Sequence, residues 1–136
     1  MTNQQSEAAA KPELESTTIR AAVYRVGAEM VVQDIPKSLE SYQQLVGGYI
    51  EVARLPDDLA LVCNDEGINY GMPPNRAYRF YNGAMGLAFG DFFVCRTEGS
   101  AFGSLTDDDI QRLPSIISRP RSGGPHQSIY VMEDTK

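Results

Sequence analysis

The order of apolar and polar positions changes character several times along the chain. Residues 19–26 are rich in strand formers, and 30–35 resume the pattern before Pro36, which predicts a β-hairpin around Gly27, Ala28 and Glu29. Ser38 then stands as an N-cap ahead of Leu39, Tyr42, Leu45 and Val46, which share one helical face, and Gly47-Gly48 supplies the stop. Residues 49–55 alternate large apolar with polar or small groups, as a strand with one buried face does. Pro56-Asp57-Asp58 is a turn, Leu59 to Cys63 the matching strand, and Asn64-Asp65-Glu66-Gly67 its end.

A loop is expected over 68–75, with Gly71, Pro73 and Pro74, followed by an apolar and aromatic strand over 77–81 and a turn at Asn82-Gly83. Residues 85–96 are apolar around Gly86 and Gly90, where bulges fit, and Phe92 to Cys95 form the last major strand. Thr106 opens a second helix with Asp109 in the capping-box position and Asp107 and Asp108 in the first turn. Ile110, Leu113, Ile116 and Ile117 supply its buried face, and Pro114 ends or kinks it. Beyond Ser118, order is expected to break, with 129–132 either a docked strand or an adhesive tail. Residues 1–18 hold almost no large apolar groups and are expected to be disordered. The pattern therefore predicts one α+β domain over 19–118: a mainly antiparallel sheet of about five to six strands and two short helices. The Ser38 helix covers one face and the Thr106 helix packs beside it.

Length and charge narrow the function. The chain has 136 residues and a net charge of -6, of which 19–118 carry -5, while 119–136 carry +1. Lys and Arg contacts to phosphate supply most non-specific nucleic-acid affinity, so an acidic core argues against general nucleic-acid binding and against adsorption to an anionic membrane. No run approaches the roughly 18 apolar residues of a membrane span, and the N-terminus lacks a signal-peptide pattern, so a cytoplasmic protein is expected. Cys63 and Cys95 sit in apolar runs and are expected to be buried thiols without a disulfide. His126 is the one histidine, and its neighbours suit an exposed tail better than catalysis or zinc.

The run from Asn69 to Tyr81 carries the candidate chemistry. It concentrates tyrosines, two arginines and an Asn in a stretch stiffened by proline, and Tyr70, Asn75, Arg76, Tyr78, Arg79 and Tyr81 are the candidate ligand residues. Arg makes bidentate bonds to phosphate, Tyr stacks on a base, and Asn both donates and accepts on a ring edge. The competing explanation is that the prolines shape a connection and the tyrosines cap a sheet edge. Asp57-Asp58, Asp65-Glu66 and Asp107-Asp108-Asp109 each have a local explanation as a turn or helix start, and none has calcium-loop spacing. Gly83, Gly86 and Gly90 match neither a dinucleotide nor a Walker pattern.

Five blocks in order carry a resemblance: Leu45 to Val52, Leu61 to Gly67, Pro73-Pro74-Asn75-Arg76, Gly90 to Val94, and Ser104 to Ile110. Together they resemble the DUF3846 family of small proteins, common in bacteriophages, mobile elements and some bacteria. The resemblance spans about 19–113 and implies an α+β domain in a phage or mobile-element setting. It carries over no catalytic residue, cofactor or substrate. One departure bears on ligand preference: members commonly hold a lysine between Glu-Gly and Pro-Pro-Asn, where this chain has Ile68-Asn69-Tyr70.

The expectation is a non-enzymatic binding protein, without cofactor or metal, that counters or tunes a host system. In one mode the 70–81 stretch and the end of the Tyr49 strand form a pocket, which a second subunit could help close, for a small anionic or nucleotide-like ligand. In the other an apolar or acidic face docks on a host protein and blocks it. An enzyme ranks third.

Overall fold

The computed structural model describes residues 17–122 and 130–132, and side-chain surroundings over 17–120. The expectations for 1–16 and for His126 lie outside the described residues. In chain order the elements are β1 (Thr18–Tyr24), β2 (Val31–Pro36), α1 (Leu39–Val46), β3 (Ile50–Arg54), β4 (Leu59–Asn64), β5 (Pro74–Arg79), β6 (Met85–Phe89), β7 (Phe92–Glu98), β8 (Ala101–Gly103), α2 (Asp107–Arg112), β9 (Ile117–Ser118), β10 (Pro120–Ser122) and β11 (Tyr130–Met132). Short 3-10 turns occupy Pro56–Asp58 and Leu113–Ser115.

The hairpins form where strand formers flank turn residues. β1 pairs with β2 across a turn in which Gly27 takes φ 77, and β3 pairs with β4 across the Pro56–Asp58 turn. β7 runs between β1 and β4, which gives an antiparallel sheet in the order β2-β1-β7-β4-β3, with β8 folded back on β7 as its sixth strand. A second antiparallel sheet has the order β9-β5-β6, and β10 with β11 makes a separate ribbon. The fold is α+β, as the apolar pattern predicts.

The core has two layers because β4 and β7 are apolar on both faces. On one face Ile19, Val23, Val62 and Phe93 pack under Tyr42 of α1, whose ring lies 5.4 Å from Phe93 and 5.2 Å from Phe102. On the other, Tyr24, Leu61, Phe92 and Val94 meet the second sheet, with Tyr24 stacked on Phe92 at 4.8 Å. Phe92 and Phe93 are fully buried, and each such side chain contributes about 1.5–3 kcal/mol on transfer from water. Cys63 and Cys95 are buried thiols in opposite layers.

The helix ends follow local chemistry. Ser38 accepts from the Ser41 N–H and Gly47 closes α1 at φ 84. Thr106 and Asp109 form a reciprocal capping box, and α2 gives way to a 3-10 turn at Pro114. Leu39, expected on the buried face, is 56% exposed, and Tyr42 and Val46 are the buried residues of α1.

Several expectations need correction. α2 does not pack beside α1: Ile110 and Leu113 join the layer on the opposite face. The strand expected at 77–81 starts at Pro74, so Asn75 and Arg76 stand on a strand and not in a loop. The apolar run 85–96 divides at Gly90, φ 78, into β6 and β7, which belong to different sheets. Past Ser118, 130–132 pairs with 120–122, the strand alternative offered for that segment, and the rest of the tail lies outside the described residues.

Candidate ligand pocket

β5 carries the first pieces of the site into the seam between the sheets. Asn75 is 4% exposed, and its Nδ2 donates to the carbonyl oxygens of Tyr24 and Gly90, both at 2.9 Å. It thereby ties β1 and the β6–β7 corner to β5. Arg76, also 4% exposed, donates from Nη1 to Asn75 Oδ1 at 2.6 Å and to the Asn75 carbonyl at 3.2 Å. Its Nη2 donates to the Ala28 carbonyl at 2.7 Å, and its guanidinium carbon lies 5.3 Å from the centre of the Tyr24 ring.

Every hydrogen-bond partner of Arg76 is a neutral oxygen. Among the described residues, the ion pairs involve Arg20, Arg96, Arg112 and Arg119, and none involves Arg76. Burial, with a smaller contribution from Arg119, lowers its pKa from the ordinary arginine value, against an opposing pull from Tyr24 and Glu29. Dehydrating a cation costs several kcal/mol, and neutral oxygens offset that less completely than a carboxylate would. The guanidinium is therefore a buried positive charge with no partner charge bonded to it.

Arg76 lines a recess of about 200 Å³. Met30, Ile110, Leu113, Pro114 and Ile117 give it apolar walls, and Tyr24 an aromatic one. Glu29, Ser118 and Arg119 complete it. The Ser118 Oγ is buried and has no hydrogen-bond partner, a state that costs about 1–3 kcal/mol. Arg119 pairs with Glu29 at 3.1 Å. The β9 pairing with β5 sets this arrangement, since Ile117 sits opposite Tyr78 and Ser118 opposite Ala77. Two guanidinium groups, an unsatisfied hydroxyl and the Glu29 carboxylate paired with Arg119 thus line one recess with apolar walls, which leaves one positive charge in excess.

The wall formed by α2 is held by Asp109, which is fully buried. Its Oδ1 accepts from Arg96 Nη2 at 2.7 Å and Arg112 Nη2 at 2.8 Å, and its Oδ2 from Arg96 Nε at 3.0 Å and the Thr106 N–H at 2.9 Å. Burial alone would raise its pKa, but the bonds from Arg96 and Thr106 prevail and hold it at about 2. The carboxylate reads in sequence as a helix cap; its second role as anchor for two arginines was not visible there.

The six candidates divide among separate places. Arg76 faces the recess, and Asn75 is its clamp. Tyr78 lines a different cleft, near Glu51 and Cys63. Arg79 is half-buried, and its backbone N–H bonds Ile116. Tyr70 is 65% exposed in the turn after β4, and Tyr81 is 56% exposed with the Arg54 guanidinium 4.4 Å above its ring. Ser118, Arg119 and Tyr24 were missed. Ser118 and Arg119 follow directly on the apolar pair Ile116-Ile117, and that adjacency to a core segment was the available signal.

The model of a family described as a domain of unknown function, DUF3846, matches residues 19–117. The chain belongs to the DUF3846 family. The match runs from β1 to the first residue of β9, so it takes in α1, α2, Asn75 and Arg76 and stops one residue short of Ser118. Comparison of this DUF3846 chain with curated proteins and with solved structures finds no match in either. Among its described residues, no helix is long and apolar enough to cross a membrane, and no group of three or more His, Cys, Asp or Glu could hold a metal ion.

Proposed function

We propose that this DUF3846 chain is a binding protein that takes a small anion-bearing ligand in the Arg76 recess. The observation that carries the reading is the buried Arg76 guanidinium with no bonded carboxylate, beside the unpartnered Ser118 hydroxyl. A phosphate or carboxylate placed there would neutralise the charge, accept the Ser118 proton and draw Arg119 from Glu29. The recess, at about 200 Å³, falls below the roughly 300–1,000 Å³ of sites that enclose a drug-sized molecule. It suits an anionic head with a small apolar neighbour. In a phage or mobile-element setting, such a protein would act by lowering the free concentration of a host signal.

The test is a thermal-shift and NMR titration with inorganic phosphate, phenyl phosphate and nucleoside monophosphates. A ligand at 100 times its Kd adds about 2.7 kcal/mol of stability. Binding is expected to move the amide signals of Ala28, Arg76 and Ser118 and to weaken in Arg119→Ala, which alters an exposed side chain and leaves the core intact. The proposal is wrong if none of these anions binds, and recovery of a stoichiometric host protein from lysate would then favour docking.

A further inference from the structure

A second recess is lined further along β5, and its charge is reversed. β3 ends the main sheet and β6 ends the second, and a cleft of about 260 Å³ lies between residues of the two strands. Cys63, Leu87 and Phe89 give it apolar walls, while Glu51, Asp65 and Glu66 line its polar side. No Lys or Arg lines it, and among the described residues none of these three carboxylates is in an ion pair.

A second feature, independent of the acidic rim, is the phenol of Tyr78, which lines the cleft. Tyr78 is 8% exposed, and its hydroxyl has no hydrogen-bond partner among the described residues. Its ring lies across Gly86, where an added Cβ would come within 2.7 Å of the ring, and meets Phe80 edge-on at 5.0 Å. The ring is thereby held between Gly86 and Phe80, and its hydroxyl bonds no described residue. Burial, Cys63 and Glu51 push the phenol up to about 12, and burial, Glu51 and Asp65 push the Cys63 thiol up to about 11, so both groups feel the negative field of the rim.

We propose that this cleft binds an organic cation, an ammonium or guanidinium group on a short apolar stem. The stem lies against Leu87 and Phe89, the charge meets Glu51 and Asp65, and the Tyr78 oxygen accepts one of its protons. A bare metal ion fits less well, because half the lining is apolar and no cluster of three ligating side chains stands there. Two sources share this chemistry: a free amine, or the Lys or Arg side chain of a partner protein.

The probes are agmatine, a blocked Gly-Arg-Gly tripeptide and, as an uncharged control, 1-pentanol, each titrated by NMR into the full chain. Agmatine or the tripeptide is expected to shift the amides of Asp65, Ile68 and Leu87, with 1-pentanol at least tenfold weaker. Glu51→Gln, at an exposed position, and Tyr78→Phe, which keeps the ring, are each expected to weaken the cation about tenfold while leaving the rest of the spectrum unchanged. Tighter binding of agmatine indicates a free amine, and tighter binding of the tripeptide a partner's side chain. The proposal is overturned if neither cation binds, if 1-pentanol binds as well, or if both variants retain full affinity.

Discussion

Replacing Asp109 by Asn tests how the wall of the anion recess is held. The asparagine keeps one acceptor oxygen and places an NH2 where either Oδ1 or Oδ2 stood. Oδ1 accepts from Arg96 and Arg112, and Oδ2 from Arg96 and Thr106, so two of the four bonds are lost in either orientation. Hydrogen bonds to ionised groups are worth about 1.5–3 kcal/mol each. The Arg96 and Arg112 side chains are 25% and 42% exposed and recover some water, which favours the lower end and a loss of about 3 kcal/mol. For a domain of this size, about 4 °C per kcal/mol gives a Tm drop of about 12 °C. The control is Asp107→Asn, whose ion pair with Arg20 at 2.9 Å is exposed and worth about 0–1 kcal/mol, or at most about 4 °C.

The pH dependence checks the same reasoning through its sign. Asp109 titrates at about 2 in the fold against an ordinary 3.8, so the folded state favours its charged form. Its contribution is fully present above the ordinary value and is lost as pH falls through about 2. Melting curves are therefore expected to show a constant gap between the wild type and Asp109→Asn above about pH 5, closing towards pH 2. A drop no larger than that of Asp107→Asn, or a gap that widens in acid, would refute the anchoring role.

Two further outcomes follow from the packing. Gly86→Ala puts a methyl within 2.7 Å of the Tyr78 ring and is expected to cost about 1–3 kcal/mol in urea denaturation; an unchanged midpoint would show that the ring moves freely. Burial pushes Cys63 up to about 11 and Cys95 up to about 12, so a thiol reagent at pH 8 is expected to label neither until the chain unfolds, and fast labelling of the native protein would contradict their burial.

What could be read from the sequence was mostly local. The Ser38 and Thr106 caps, the Gly47 stop and the Gly27 turn depend on residues within a few positions of one another, and each forms as the pattern predicts. The side of the sheet that receives α2 is not encoded that way, because β4 and β7 are apolar on both faces and either face could accept it. The site shows the same division. Arginine and asparagine marked β5 as chemically unusual, but their partners at Ala28 and Tyr24 are 48 and 51 residues away. The apolar pair before Ser118 marks a core segment, but that its hydroxyl is buried without a partner depends on the pairing of β9 with the distant β5.

The most direct test of the anion recess is Ser118→Ala, measured twice on the same sample. In the absence of ligand the variant removes a buried hydroxyl that bonds nothing, so its Tm is expected to equal or exceed that of the wild type. Affinity for phenyl phosphate is expected to fall about tenfold, because that hydroxyl is one of the groups that receives the anion. Lower stability without ligand together with unchanged affinity would contradict the account.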